Sequence, residues 1–408
     1  RFGLTDSMHP PLMTLIWRAL DSIYPGPALM LLFNASLFLL ALVHLIGLYS
    51  PSRRLTLALL FAVAFCSVLL GPLATVWKDV TMLAFFAAGA AALAHSTRKG
   101  GVPSLVLALV FLLLGSATRH DALAAAVPLF LWWSWRAARE VPFGPRQLWV
   151  RVGYGFSVSL ALGLMIPWAL NAAAGGRSAA WTSTALFDLI GTSRYAGVNL
   201  LPPAATARHE IFTQQDIERI YSVDHINHSL VRLPLNAGLK LIDRRIAPRA
   251  VKEAWIHAVT AEPWSYLRHR LGFALNFIGL TRDSVFYPSS FGINPNDLGI
   301  RHQPSQLTLG FVAWARYLAG HPLAQPWIYY LLALGLVVAL LLRRTPGREA
   351  PLALLGSAVA YLLAASLIMP AADLRYQIWS LAAAMSTSIL SVCLLSEARR
   401  PKAADSVA

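Results

Sequence analysis

Residues 27–48 read PALMLLFNASLFLLALVHLIGL, a run that contains no Asp, Glu, Lys or Arg. As an α-helix at about 1.5 Å per residue this run is about 33 Å long, enough to cross the roughly 30 Å hydrocarbon core of a bilayer. Comparable apolar blocks recur along the chain, and they lack the strict alternation of a membrane β-barrel strand. The predicted spans are roughly 27–48, 55–75, 79–95, 102–118, 121–135, 151–171, 327–342, 351–369 and 376–395. The sequence therefore predicts an all-α polytopic membrane protein, a bundle of about nine transmembrane helices.

The overall composition agrees with a membrane protein and argues against a nucleic-acid partner. Of the 408 residues, 57% are hydrophobic and 13% are charged, whereas soluble proteins carry roughly 25% charged residues. The net charge is +15, but the Lys and Arg residues mostly lie at block ends, where membrane topology accounts for them. Cys66 and Cys393 fall inside apolar blocks, which indicates buried thiols rather than a disulfide framework. The sequence begins at Arg1 without a signal-like segment, so we expect at least one more helix before it.

The Lys and Arg residues also predict the orientation of the bundle. Basic junctions alternate with every proposed span, and basic loops stay in the cytoplasm. These junctions hold Arg53 and Arg54; Arg98 and Lys99; Arg136, Arg139, Arg146 and Arg151; Arg343, Arg344 and Arg348; and Arg399, Arg400 and Lys402. We expect a multi-pass protein of the inner (plasma) membrane. Its parts are an N-terminal transmembrane bundle with the first extracytoplasmic loop (1–171), an extracytoplasmic loop domain (172–326), and C-terminal transmembrane helices with a cytoplasmic tail (327–408).

The large loop carries two local helix signals. Thr213 to Asp216 has the pattern of a capping box, which predicts a helix start. Residues 263–280 place apolar side chains on one helical face, at Trp264, Leu267, Leu271, Leu275 and Ile278. This pattern is typical of a helix lying at a membrane surface, and equally of a core helix within the loop domain.

Three basic residues stand at extracytoplasmic corners, where the topology rule does not explain them. Lys78, Arg119 and Arg375 lie at the outer ends of different predicted helices. If the bundle brings them together, they form an anion site suited to a phosphate or pyrophosphate head group at the membrane surface. The alternative is that each pairs with its neighbouring acid or extends to lipid phosphate.

Carboxylates on the same side are candidates for general-base catalysis. They are Asp6, Asp79, Asp121 and Asp373. Asp6 precedes His9-Pro10-Pro11, and the two prolines stiffen the chain that orients Asp6 and His9. The alternative is that Asp6 only caps the short helix that follows.

These motifs together resemble the GT-C superfamily of polytopic glycosyltransferases, which includes protein O-mannosyltransferases and aminoarabinose transferases. The resemblance rests on an acidic residue followed by His-Pro-Pro-Leu in the first loop, and on four later motifs. These are Trp77-Lys78-Asp79, Arg119-His120-Asp121, the Glu262–Arg270 segment and Asp373-Leu374-Arg375-Tyr376. The acidic pair that the family carries at the end of its first helix is not visible, which leaves Asp6 as the base or as its neighbour.

The resemblance implies transfer of a sugar from a polyprenyl-phosphate-linked donor to an acceptor hydroxyl outside the cytoplasm, with inversion. The acceptor would be a glycan, a lipid or a protein. The residues that it assigns to catalysis are Asp6, His9 and Asp79. Those that it assigns to substrate binding are Lys78, Arg119, His120, Asp121, Asp373, Arg375 and Tyr376. A divalent metal ion is compatible with the clustered carboxylates, although the neighbouring Lys and Arg could replace it.

Two other readings of the sequence stay open. A polysaccharide polymerase or ligase would also use a lipid-linked donor and a large outer loop. A lipid or sugar transporter would place charged residues near the bilayer midplane and often contain repeats. The predicted spans here are nearly free of charge, which favours an enzyme whose site lies at the membrane surface.

Overall fold

The computed structural model describes residues 11–50, 52–64, 66–140, 144–173, 181–203, 213–226, 247–281, 303, 305–319 and 321–398. Most of these residues are helical, and no β-strand occurs among them. The helices are α1 (Leu12–Asp21), α2 (Ala28–Tyr49), α3 (Arg53–Ala64), α4 (Ser67–Leu73), α5 (Lys78–Lys99), α6 (Val102–Ser116), α7 (Ala122–Ala138), α8 (Pro145–Ala173), α9 (Trp181–Ala196), α10 (Gln214–Ile220), α11 (Pro248–Ala261), α12 (Pro263–Phe277), α13 (Gln306–Ala319), α14 (Pro326–Leu342), α15 (Glu349–Ile368) and α16 (Ile378–Glu397).

Several helices are long and apolar enough to cross a membrane, as expected for a membrane protein. Within the described residues there are five: α2, α5, α8, α15 and the segment Leu374–Glu397 that contains α16. The apolar helices α6 and α14 are shorter, with 15 and 17 residues. At about 1.5 Å per residue, α6 measures about 22 Å and falls short of the hydrocarbon thickness.

The predicted span 55–75 differs most from the structure. It is divided between two helices, α3 and α4, which have 12 and 7 residues. The second contains Pro72, which lacks the amide hydrogen that a helix interior needs. A hydropathy average detects an apolar block but does not detect a break between two helices within it. Five helices among the described residues are long and apolar enough to cross a membrane, and the count of about nine spans stays a prediction.

The central helix of the bundle is α5, which is buried along most of its length. It packs against α2 and α6, and small residues permit the close approach to α6. A Cβ atom added to Gly115 would lie 2.5 Å from the ring of Phe86, and one added to Gly89 would lie 2.7 Å from Leu112. Such small-residue contacts are the usual way in which membrane helices approach each other.

The two ends of the bundle carry different groups of charged residues. At one end Arg98 pairs with Glu397 at 3.2 Å, and Arg136 donates to the carbonyl of Ser96 at 2.9 Å. These arginines belong to the junctions predicted to be cytoplasmic. The corner residues of the candidate site lie at the opposite ends of the same helices.

A second hydrophobic core forms where helices α9 to α12 pack together and against the end of α15. Its buried members include Phe187, Ile190, Phe273, Phe277 and Ala365. The predicted capping box is confirmed, because the Thr213 side chain accepts from the Asp216 amide while the Asp216 carboxylate accepts from the Thr213 amide.

Several hydrogen bonds attach these helices and the segment between them to the bundle. The side chain of Gln377 donates to the carbonyl of Phe277 at 2.5 Å, and Thr184 donates to the carbonyl of Ile368 at 2.6 Å. The amide of Ile226 donates to the carbonyl of Pro370 at 2.9 Å. The second core is therefore fixed to the corner between α15 and the last helix.

Helix α12 has an apolar face that is exposed. Trp264 is 81% exposed, and Leu267 and Leu271 are exposed as well. The opposite face, which includes His269 and Arg270, is buried. The buried face also carries Phe273 and Phe277 of the second core. Helix α12 is therefore a core helix on one side and has the exposed apolar residues of a surface helix on the other.

Candidate functional site

A cavity of about 690 Å³ lies where three of the predicted corners meet. The residues that line it come from the start of α5, the α6–α7 corner, the end of α15, the start of the last helix, α9 and α11. They are Lys78, Arg119, His120, Asp121, Trp181, Ser183, Thr184, Ala185, Asp188, Trp255, Leu367, Ile368, Met369, Pro370 and Tyr376.

The structure brings together many of the residues predicted for the site. Five of them line the cavity: Lys78, Arg119, His120, Asp121 and Tyr376. Three more lie beside these residues without lining it: Asp79, Asp373 and Arg375. The last two, Asp6 and His9, are outside the described residues.

Arg119 is the centre of the charged part of the cavity. Its Nε donates to Asp121 Oδ1 at 2.8 Å, and a terminal nitrogen donates to Asp121 Oδ2 at 2.9 Å. The other terminal nitrogen donates to Asp79, so one guanidinium joins the start of α5 to the start of α7. Burial opposes the charge of Arg119, yet the carboxylates of Asp79 and Asp121 outweigh it and raise its pKa further. Arg119 therefore stays charged.

This arrangement bears on the candidate bases. Asp79 is 2% exposed and ion-paired with Arg119. Its carboxylate is thus already occupied as the ion-pair partner of a buried guanidinium. The geometry suits Asp79 to holding Arg119 in place rather than to removing a proton from a substrate.

Arg375 approaches the same place from the last helix. Its Nε lies 2.9 Å from Asp373 Oδ2, and a terminal nitrogen donates to the hydroxyl of Tyr376 at 2.9 Å. The guanidinium carbons of Arg119 and Arg375 lie 5.1 and 4.7 Å from the centre of the Tyr376 ring. Burial raises the pKa of Asp373, although Arg375 opposes this.

The three corner cations thus converge, and two of them form ion pairs with neighbouring acids. Arg119 and Arg375 each bind the acid nearest in sequence, as in the alternative considered for isolated corners. Arg119 additionally binds Asp79, from a different corner. The cationic part of the cavity wall is formed by Lys78 and Arg119, with Arg375 behind Tyr376.

The start of α1 is anchored close to this region. Leu12 is buried in one hydrophobic cluster with Phe85 and Ala117. Ala117 precedes Arg119 by two residues, and Leu12 follows Asp6 by six. At about 3.3–3.6 Å per extended residue, a six-residue segment spans up to roughly 20 Å.

The opposite wall contains residues that the sequence reasoning missed. Asp188 on α9 is 1% exposed and lies 2.6 Å from Nε of Arg270. The indole nitrogen of Trp255 donates to Asp188 Oδ2 at 2.8 Å. A usable signal existed, because Asp188 is a lone acid within the apolar stretch Ala185–Ile190. Buried acids of this kind need a partner, and Arg270 belongs to a motif already singled out.

His269 packs on the same cluster. Its Nδ1 lies 3.1 Å from the hydroxyl of Tyr221, and its ring lies edge-on to Phe187. Burial lowers the pKa of His269, and the nearby Asp188 only partly opposes this. A Cβ atom on Gly191 would overlap the imidazole, so only glycine allows α9 and α12 to approach this closely.

The cavity wall therefore has three chemically distinct parts. One is charged, formed by Lys78, Arg119, His120 and Asp121. The second is apolar, formed by residues 367–370 at the end of α15. The third is aromatic and hydroxylic, formed by Trp181, Ser183, Thr184 and Trp255 around Asp188. Such a cavity can hold an amphiphile that carries an anionic group, a hydrocarbon chain and a polar ring.

Within the described part of the chain, no three His, Cys, Asp or Glu side chains are grouped so as to hold a metal ion. Asp79 and Asp121, the carboxylates nearest to each other here, share Arg119 instead. A scan against protein-family models found no match to the chain, and neither curated proteins nor solved structures gave one.

Proposed function

We propose that this chain is a polytopic membrane glycosyltransferase of the GT-C type. It transfers a sugar from a polyprenyl-phosphate-linked donor to an acceptor hydroxyl of a glycan, a lipid or a protein. The observation that carries the proposal is the three-part wall of the cavity at the bundle end. A polyprenyl-phosphate sugar is an amphiphile with an anion, a hydrocarbon chain and a polar ring, which are the chemical groups that the wall complements.

The phosphate of the donor binds at the charged wall. In the reaction, the bond between the anomeric carbon and the phosphate oxygen breaks, and the phosphate gains one negative charge as it leaves. Fixed cations that face this developing charge lower the barrier. Lys78, which lines the cavity at the start of α5, makes the direct contact. Arg119 adds the electrostatic field of a fixed positive charge, and Arg375 is separated from the cavity by Tyr376.

The acceptor hydroxyl attacks the anomeric carbon from the face opposite the phosphate, so the configuration inverts. Asp6 takes the hydroxyl proton as general base, and His9 shapes the acceptor site. Two observations support Asp6 over Asp79. Leu12, six residues after Asp6 in the sequence, is buried in one cluster with Ala117 near the charged wall, and Asp79 is already paired with Arg119. The proposal includes no metal ion.

The proposed membrane arrangement has about nine spans, with residues 172–326 outside the cytoplasm above the inner membrane. The exposed apolar face of α12, at Trp264, Leu267 and Leu271, then lies against the membrane surface. A transporter is less consistent with the geometry. Among the described residues, the buried ion pairs lie at helix ends or between α9 and α12. Of their members, only Asp79 belongs to one of the five long apolar helices, and it lies in the first turn of α5.

The experiment that tests the proposal measures binding of a short-chain prenyl phosphate to the protein in lipid nanodiscs. We expect Lys78→Gln to weaken binding about tenfold or more, because a charge-assisted hydrogen bond contributes about 1.5–3 kcal/mol. The matched control is Lys99→Gln at the other end of α5, which should bind like the parent. Failure of the parent to bind, or equal effects of the two substitutions, would reject the proposal.

A further inference from the structure

We infer that the aromatic wall, formed by Trp181 and Trp255 around Asp188, is a binding site for the ring of a neutral pyranose sugar. The inference rests on the proposed function only for the identity of the lipid-linked donor that carries this sugar. The wall itself is defined by the cavity and its contacts.

The first step concerns what Trp255 presents to the cavity. Its only polar group, the indole N–H, is bonded to Asp188 at 2.8 Å. The surface left for a ligand is therefore the aromatic carbon system. A pyranose ring has a face of C–H groups, which packs well on an aromatic ring, and a rim of hydroxyls. Trp181, which is 41% exposed and lines the same wall, offers a second aromatic surface.

The second step concerns the hydroxyl rim. Ser183, Thr184 and Asp188 follow Trp181 in α9 and line the cavity with it. The hydroxyl of Thr184 donates to the carbonyl of Ile368 at 2.6 Å, which leaves its oxygen as an acceptor. The wall therefore holds acceptors suited to sugar hydroxyls.

The third step concerns charge. Asp188 is balanced by Arg270 at 2.6 Å, and both side chains are almost completely buried. A neutral hydroxyl can donate to such a carboxylate without leaving a charge unpaired. Because the charges of this pair already balance, the wall offers no uncompensated cation for an acidic sugar, which favours a neutral one.

The fourth step concerns rigidity. Arg270 also donates to the carbonyl of Met369 at 2.9 Å, at the end of the apolar wall. Trp255, Asp188, Arg270 and Met369 thus form one chain of contacts from the aromatic wall to the apolar wall. A surface held in this way loses little freedom when a ligand binds, which favours affinity.

A competing explanation is that Trp255 only links α11 to α9, with no ligand. Saturation-transfer NMR with the protein in nanodiscs separates the two. The probes are methyl glycosides of neutral hexoses and pentoses. We expect saturation to reach the ring protons of at least one glycoside with the parent and with Trp255→Phe, which keeps an aromatic surface. The signal should fall to the level of empty nanodiscs with Trp255→Ala.

Two further variants complete the test. Trp149→Ala removes an exposed tryptophan outside the cavity and should leave the signal unchanged. Trp181→Ala removes a half-exposed ring without emptying a core, so it should weaken the signal even if Trp255→Ala does not fold. No signal from any glycoside with the parent, or an undiminished signal in both Trp255→Ala and Trp181→Ala, would overturn the inference.

The result is distinguishable from a failure of the proposed function. Prenyl phosphate binding that depends on Lys78, with no sugar signal, would overturn the sugar site and leave the donor assignment standing. A sugar signal that depends on Trp255, with no prenyl phosphate binding, would support the sugar site and reject the lipid-linked donor.

Discussion

Arg119 holds Asp121 in a two-pronged ion pair, with nitrogen–oxygen distances of 2.8 and 2.9 Å, while its third nitrogen binds Asp79. All three side chains are almost completely buried. Two helices that are distant in sequence therefore depend on one guanidinium for their relative position at the cavity.

Replacing Arg119 should destabilise the protein strongly. Arg119→Gln leaves two buried carboxylates without a cation, which costs about 3–5 kcal/mol. Arg119→Lys keeps the charge but cannot reach both acids with the same geometry, so it should fall between the parent and Arg119→Gln. Thermal unfolding in detergent measures both. The control is Arg98→Gln, whose partner Glu397 is exposed and whose loss should cost about 1 kcal/mol or less. Equal effects at Arg119 and Arg98 would contradict this account.

Gly191→Ala should separate α9 from α12. The added methyl group overlaps the ring of His269, and overpacking of a core costs about 1–3 kcal/mol. Gly310→Ala is the matched control, because a Cβ there meets nothing within 4 Å and alanine favours a helix by about 0.5–1 kcal/mol. The measurement is the shift in unfolding temperature, expected downward for Gly191→Ala and flat or upward for Gly310→Ala. A downward shift at both positions would argue against a specific clash.

The protein should lose stability on mild acidification, through His269. Burial lowers its pKa in the folded state below the ordinary 6.5, so the unfolded chain binds the proton more readily. The stabilisation that comes from burying neutral His269 is present above pH 6.5 and is lost as the pH falls from there through the folded-state pKa. The groups around the imidazole are Asp188, Arg270 and Tyr221. The measurement is the free energy of unfolding at about pH 7.5 and at about pH 5.5. His269→Gln should reduce the difference between these two values, whatever its effect on stability at either pH.

On the proposed function, Asp6→Asn should abolish sugar transfer without unfolding the protein. Asparagine keeps the size and the capping ability of aspartate but cannot take a proton, so transfer should fall by roughly 10²–10⁴-fold. Asp79→Asn should instead lower stability, because it weakens the ion pair with Arg119. Sugar transfer from a prenyl-phosphate donor and thermal unfolding are measured for both variants. If Asp6→Asn stays within a few-fold of the parent, Asp6 is a helix cap and Asp79 becomes the candidate base.

Cysteine labelling with an impermeant reagent should report the orientation. In a variant without Cys66 and Cys393, we expect Asn199→Cys to react from outside intact cells, since Asn199 is exposed beside the second core. Lys99→Cys, at the opposite end of the bundle, should react only after the membrane is opened. The reverse pattern would invert the topology and exclude an extracytoplasmic site.

The apolar runs predicted most of the helices, because composition is a local property that directly decides what enters a bilayer. The division between Ala64 and Ser67 was not predicted, since a hydropathy average does not detect it. The charged motifs at Lys78, Arg119 and Arg375 were recognisable because bases are unusual at corners predicted to be extracytoplasmic. The pairing of Arg119 with Asp121 was one of the alternatives considered, but its pairing with Asp79 was not predictable, since it depends on how the helices rotate against each other.

The aromatic wall was missed for a related reason. Trp255 and Asp188 are 67 residues apart, and neither lies in a motif with a fixed spacing. Only the packing of α11 on α9 joins them. A lone acid in an apolar helix such as α9 does indicate a buried partner, but the sequence offers several arginines and no means of choosing Arg270 among them.

The contacts at the end of α15 have an electrostatic consequence for the cavity. A helix directs the negative end of its dipole towards its last carbonyls, and α15 ends at the cavity wall. There, Thr184 donates to the carbonyl of Ile368, and Arg270 donates to that of Met369. The positive ends of α5, α7 and the last helix begin at the same cavity. With the carbonyls of Ile368 and Met369 already accepting hydrogen bonds, the remaining helix ends at the cavity favour an anion over a cation.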